Sequence, residues 1–155
     1  MKKRAILLGV AAVLAMGVVC FAADDMYVGT WKLNEAKSKL PAGATKNNTV
    51  VYEAAGDSVK VTVDGVTPDG KAVRSEWTGK FDGMDYPVTG DPAYNSRSYK
   101  RVNARTLAMT LKKDDKVVGT GRITVSADGK SRTVTLSMKD AMGKSMSSTA
   151  VYDKQ

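Results

Sequence analysis

Arg97, Tyr99 and Arg101 stand at alternate positions of one predicted strand, so all three project from one face of it. Two guanidinium groups with a phenol between them suit the anionic or hydroxylated head of a small ligand, because arginine presents a fixed fork of donors that matches a carboxylate. Turned inward, the trio is an anchor. Turned outward or toward a rim, the placement favoured from the sequence, it is a solvated basic stripe. Arg74 is the other candidate anchor. Magnitudes show why an anchor matters. Burying about 200 Å² of hydrocarbon gives about 5 kcal/mol before the costs of association, whereas micromolar affinity needs about 8 kcal/mol.

Other chemistries find few residues to work with. The chain has no His, and its one cysteine is Cys20. The usual general base near neutral pH is therefore missing, as are the usual zinc and copper ligands. Asp64, Asp69, Asp82, Asp114 and Asp128 all fall near turns, where carboxylates serve backbone geometry. Asp114-Asp115 is an acidic pair without a calcium loop around it. The expectation is a protein that is not an enzyme, with no catalytic residues, no metal site and no cofactor.

The positioning elements begin after a leader. Lys2, Lys3 and Arg4 precede an uncharged apolar run from Ala5 to Val19, and small residues follow at Ala22 and Ala23. That is the layout of a secretory signal peptide ending at residue 22, and the run is shorter than the roughly 20 residues that span a bilayer. Val19 before Cys20 does not suit lipid attachment. Residues 23–155 then form a single domain that is periplasmic or secreted. Losing Lys2, Lys3 and Arg4 with the leader takes the formal charge from +8 to +5. The remaining basic residues are scattered among acidic ones rather than clustered with stacking aromatics, so nucleic acid is excluded as a partner. No stable membrane span is left after cleavage.

Beyond residue 40 the pattern is strand, turn, strand. Val59, Val61 and Val63 alternate with polar residues, as do Val73, Ser75 and Trp77, then Leu107, Met109 and Leu111, then Val134, Leu136 and Met138. This is the period-two signal of half-buried strands. Asp69-Gly70, Asp82-Gly83 and Asp128-Gly129 mark hairpin tips. Asn34 caps one helical turn over Glu35–Lys37, which Pro41 keeps short. Other predicted strands are Tyr27–Leu33, a run through Met84, Tyr86 and Val88, Tyr94–Val102, Val117–Val125 and Ser147–Asp153. Evenly spaced strands with short turns predict an all-β fold: an antiparallel up-and-down meander barrel of about eight to ten strands with no substantial helical lid.

Gly29-Thr30-Trp31-Lys32-Leu33 resembles the opening strand of the lipocalin and fatty-acid-binding-protein superfamily. Val151-Tyr152-Asp153-Lys154 is similar to the last strand of fatty-acid-binding proteins. Gly29–Asn34, Phe81–Gly90 and Val151–Gln155 are similar to phrases of small exported bacterial lipocalin-like proteins. The resemblance implies a barrel whose closed end is plugged by Trp31 and whose interior takes a lipid-like molecule. The chain departs from it in three ways. Only one helical turn fits between Asn34 and Asn48, Ala150 stands where fatty-acid-binding proteins place an arginine, and no arginine is matched to the one that packs on the lipocalin tryptophan.

Alternation and resemblance together nominate Trp31, Tyr52, Trp77, Arg97, Tyr99, Arg101, Met109 and Tyr152 as pocket residues. Ser75, Gly79, Gly119, Gly121 and Ala150 are small inward positions that leave either room for a ligand or a flattened, collapsed barrel. The reading is a lipocalin-like binder of a small apolar or amphipathic molecule. The alternative is a non-enzymatic structural or interaction module of the cell envelope with a filled barrel.

The leader predicts its own removal. N-terminal sequencing of the exported protein should read Ala23, or Asp24 one residue later, whereas an intact Met1 would refute the assignment.

Overall fold

A computed structural model of the chain describes residues 26–139 and 142–155. The predicted leader and Cys20 lie outside the described residues. Ten antiparallel strands follow one another in sequence: β1 (Gly29–Leu33), β2 (Lys46–Ala55), β3 (Ser58–Val66), β4 (Ala72–Gly79), β5 (Tyr86–Thr89), β6 (Ser96–Asn103), β7 (Thr106–Lys113), β8 (Lys116–Val125), β9 (Ser131–Lys139) and β10 (Ser145–Lys154). Each pairs with its neighbours in sequence, and β1 pairs with β10 to close the barrel. This is the expected up-and-down meander. No helix among the described residues is long and apolar enough to cross a membrane.

Period two decides which residues meet inside. Val50 and Tyr52 of β2 pair with Val63 and Val61 of β3, and Ser75 and Trp77 of β4 sit opposite those same valines. On the far wall Leu107, Met109 and Leu111 of β7 face in beside Ile123 and Val125 of β8. Between Asn34 and Lys39 the chain makes the predicted single turn, a 3-10 turn over Glu35–Lys37. Asn34 accepts from the Lys37 N–H at 3.2 Å and donates to Asp153 at 2.7 Å. Ser38 then accepts from the Val151 N–H at 2.9 Å, which fastens this connection to β10.

One end of the barrel is shut by aromatic packing. Tyr27 and Phe81 meet edge to face at 5.5 Å, Trp77 meets Tyr99 edge to face at 4.9 Å, and the Arg101 guanidinium lies 5.7 Å from the Tyr27 ring and 5.5 Å from that of Phe81. Trp31 is fully buried toward this end, and its indole N–H donates to the Tyr27 carbonyl at 2.8 Å. Gly79 makes the packing of Trp77 and Tyr86 possible: a Cβ there would stand 2.5 Å from Tyr86 Cγ and 2.7 Å from Trp77 Cζ2. Gly29 is required for two other reasons. Its φ is +126°, and a Cβ would come within 2.9 Å of Lys154 Cε.

Three strands begin later than expected. The first strand begins at Gly29, because Tyr27 leaves the ladder to cap Trp31. Tyr94 belongs to the loop before β6, where Asp91 accepts from the Ala93 N–H at 2.9 Å and turns the chain. Met84 is 64% exposed and precedes β5, because Asp82 holds it in a turn by accepting from its N–H at 2.9 Å.

Trp31→Ala removes a wholly buried ring in contact with the plug. It should cost about 3–5 kcal/mol in equilibrium denaturation. An unchanged midpoint would place Trp31 outside the core.

Candidate functional site

The opposite end holds a cavity of about 290 Å³. Its rim is the connection through Leu40–Thr45 together with Asp91, Ala93 and Tyr94. Its lining includes the apolar side chains of Met109 and Leu111 of β7, Ile123 of β8, and Leu136 and Met138 of β9. The same lining carries Tyr52, Tyr99, Tyr152 and two arginines, Arg97 and Arg132. The volume lies near the lower limit of ordinary small-molecule sites.

The strand that carries Arg97, Tyr99 and Arg101 turns this face inward, contrary to the outward or rim placement favoured from sequence. The cause is its register with β7. Arg97 pairs with Leu111, Tyr99 with Met109 and Arg101 with Leu107, so the polar trio shares a face with three core residues. The trio is then split. Arg97 and Tyr99 line the cavity, whereas Arg101 lies at the closed end over Tyr27 and Phe81. Trp31 and Trp77, also expected in the pocket, belong to the core beneath it, and Tyr52, Met109 and Tyr152 stand in the wall. Arg74 is on the outer surface, bonded to Asp64 at 3.0 Å.

Arg132 was not among the expected site residues. Only 2% of it is exposed, and its guanidinium lies among three rings, 5.0 Å from Trp31, 4.9 Å from Tyr52 and 4.8 Å from Tyr152. It lies over the Trp31 ring, where the sequence reading had placed no arginine. A signal for it was present: Arg132 shares the parity of Val134, Leu136 and Met138, which sends it inward on β9.

The two arginines are held differently. Arg97 is 4% exposed and donates from Nη1 to the Tyr99 hydroxyl at 3.0 Å and from Nη2 to the Tyr94 hydroxyl. The Tyr99 and Tyr52 hydroxyls lie 3.5 Å apart, and either can donate to the other. The Arg97 Nε, and both Nε and Nη1 of Arg132, are buried without a hydrogen-bond partner. Neither guanidinium has a carboxylate in ion-pair reach among the described residues. Desolvating such a group costs several kcal/mol; the three ring contacts of Arg132, each worth about 0.5–2 kcal/mol, work against that cost but leave its Nε and Nη1 without a hydrogen-bond partner.

The tyrosines cannot supply the missing negative charge. Burial pushes the Tyr99 hydroxyl well above the ordinary tyrosine range, against the pull of Arg97. Burial raises Tyr94 too; Arg97 opposes it and Asp91 adds to it. Burial pushes Tyr152 up to about 12, against the pull of Arg132. All three remain neutral donors at ordinary pH, while arginine stays charged. Chemically the site is an apolar chamber with two fixed cations and neutral hydroxyls between them. No group of acidic side chains that could hold a metal occurs among the described residues.

No protein-family model matches the chain, and no curated protein matches it. Among solved structures it is similar to EF1p2_mFAP2b bound to DFHBI, with a TM-score of 0.48 and 12% identity over 86% of this chain and 97% of the other. It is similar to the redesigned beta barrel mFAP1 bound to DFHBI, with a TM-score of 0.45 and 14% identity over 85% and 98% of the two chains. Lobster apocrustacyanin A1 is similar at a TM-score of 0.44 and 12% identity, over 84% of this chain and 62% of that one.

The raised Tyr152 has a consequence for alkaline stability. Its ordinary value is 10.0 and its folded value about 12. Above pH 10 the unfolded chain releases a proton that the native state retains, so stability is complete below that pH and falls as pH rises toward 12. Melting temperature measured across this window should drop more steeply in the parent than in Tyr152→Phe. Parallel curves would show that Tyr152 ionises freely.

Proposed function

We propose that this protein is an exported, non-catalytic carrier of a small amphipathic molecule. The observation that carries the reading is the chamber itself: apolar side chains together with buried Arg97 and Arg132, with no carboxylate paired to either. A buried charge is normally paired, and here a ligand with an acidic group supplies the pair. The apolar wall takes the rest of the molecule, which is how a small cavity reaches useful affinity when hydrocarbon burial alone falls short. The chain's lack of His supports binding without turnover. The leader supports a periplasmic or secreted location.

A filled-barrel interaction module is the weaker reading, because an open chamber lined by unpaired cations destabilises a scaffold that has no use for it.

A fluorescent fatty-acid analogue tests the carrier. It should quench Trp31 and Trp77 saturably through energy transfer. Arg97→Ala should weaken it by about tenfold or more, a loss of about 1.4 kcal/mol or more. Arg101→Ala, at the closed end, should leave the affinity within about twofold. Absence of saturable binding of fatty acids, retinoids and sterols would refute the carrier.

A further inference from the structure

We infer that the ligand is a dianion, with one acidic group taken at Arg97 near the mouth and the other at Arg132 at depth, and an apolar or hydrocarbon spacer between them. The inference rests on the carrier reading and specifies its ligand class.

Three observations lead to it. First, the buried polar and charged residues are Thr62, Ser75, Arg97, Ser98, Thr106 and Arg132, so two cations and no carboxylate lie among the buried described residues. Second, the cations are not neighbours sharing one site. Arg97 bonds the Tyr99 hydroxyl, which meets the Tyr52 hydroxyl, while Arg132 lies against the face of the Tyr52 ring. Tyr52 thus links them, its hydroxyl meeting the Tyr99 hydroxyl that Arg97 bonds and its ring lying against Arg132. Third, each arginine keeps an independent need. Arg97 has only neutral hydroxyls as partners, and Arg132 has only ring faces. The one carboxylate at the rim, Asp91, is half-buried and reaches toward Arg97 only through Tyr94.

The rest of the wall fits the spacer. Met109, Leu111, Leu136 and Met138 offer it no hydrogen-bonding side chain. Methionines at such positions adapt to shape rather than dictate it, so recognition lies at the two charged ends. A second carboxylate ordinarily weakens binding to an apolar chamber, since it too must leave water. A preference for the dianion therefore separates this site from any cavity that takes amphiphiles by hydrocarbon burial.

The test is a titration of the protein, expressed from the full chain, with sebacate, its monomethyl ester, decanoate and 1-decanol, read by calorimetry. Sebacate should bind at least about tenfold tighter than its ester and decanoate, and 1-decanol weakest. Adipate and suberate should define a preferred spacing between the acids. Arg132→Gln should cost sebacate about tenfold or more and decanoate less than about threefold, while Arg132→Lys should restore part of the difference. The ligand series needs no variant, so the inference is tested even if Arg132→Gln does not fold. Equal binding of sebacate and decanoate would overturn the dianion and leave the carrier standing. Equal losses of decanoate in Arg97→Gln and Arg132→Gln would also overturn it, since they would mean one anion shared by both guanidiniums. If none of the four saturates, the dianion falls, and the carrier falls with it only when the fatty-acid analogue, retinoids and sterols also fail to bind.

Discussion

Closure of the sheet is the constraint from which the rest of this structure follows. A strand with both edges paired cannot rotate a misplaced side chain into solvent, because its alternation is locked by the ladders on either side. Once β1 pairs with β10, every odd or even set is committed to one face. Hydrophobic residues dominate the inner set and set the parity. Charged residues that share that parity are carried inside with them. Arg97 enters with the set opposite Leu107, Met109 and Leu111, and Arg132 enters with Val134, Leu136 and Met138. The buried cations are thus a product of register, and their cost is borne by the packing of the whole wall.

Aromatic rings make that cost tolerable and divide the interior. At the closed end Tyr27, Trp77, Phe81 and Tyr99 fill the space in edge and stacked contacts, with Arg101 laid over two of them. Farther along, Trp31, Tyr52 and Tyr152 surround Arg132 without filling the volume beyond it. The boundary between plug and chamber runs through residues that belong to both. Tyr99 packs on Trp77 with its ring and bonds Arg97 with its hydroxyl. Such amphipathic side chains let one barrel be solid at one end and hollow at the other.

The architecture was legible in the sequence because it rests on a local signal, period two, repeated in strand after strand and punctuated by Asp-Gly turns. The site was legible only in part, because it rests on relations between strands. Nothing local distinguishes the two faces of Ser96-Arg97-Ser98-Tyr99-Lys100-Arg101, since neither alternate set is apolar. Its register against Leu107–Leu111 decides the matter, and a hairpin register has to be worked out across the turn at Asn103–Thr106. Arg132 was overlooked for a different reason. It sits one step beyond the apolar run of its strand, where a charged residue reads as the start of a turn. The split of Arg97 from Arg101 depends on distance along the barrel axis, which alternation does not encode.

Sealing the barrel also sets a temporal order. β1 lies between β2 and β10, and the β10 ladder is extended by the Gln155 N–H, which donates to the Thr30 carbonyl at 2.9 Å. All other pairings join strands adjacent in sequence, which close small loops and form early. The seam joins segments separated by nearly the whole chain, so it forms only when the last strand has been made. Until the seam forms the sheet keeps two unpaired edges, and Arg132 has no Tyr152 to lie against. Folding to completion and construction of the inner charge site are therefore the same late event, and a chain truncated within β10 forfeits both together.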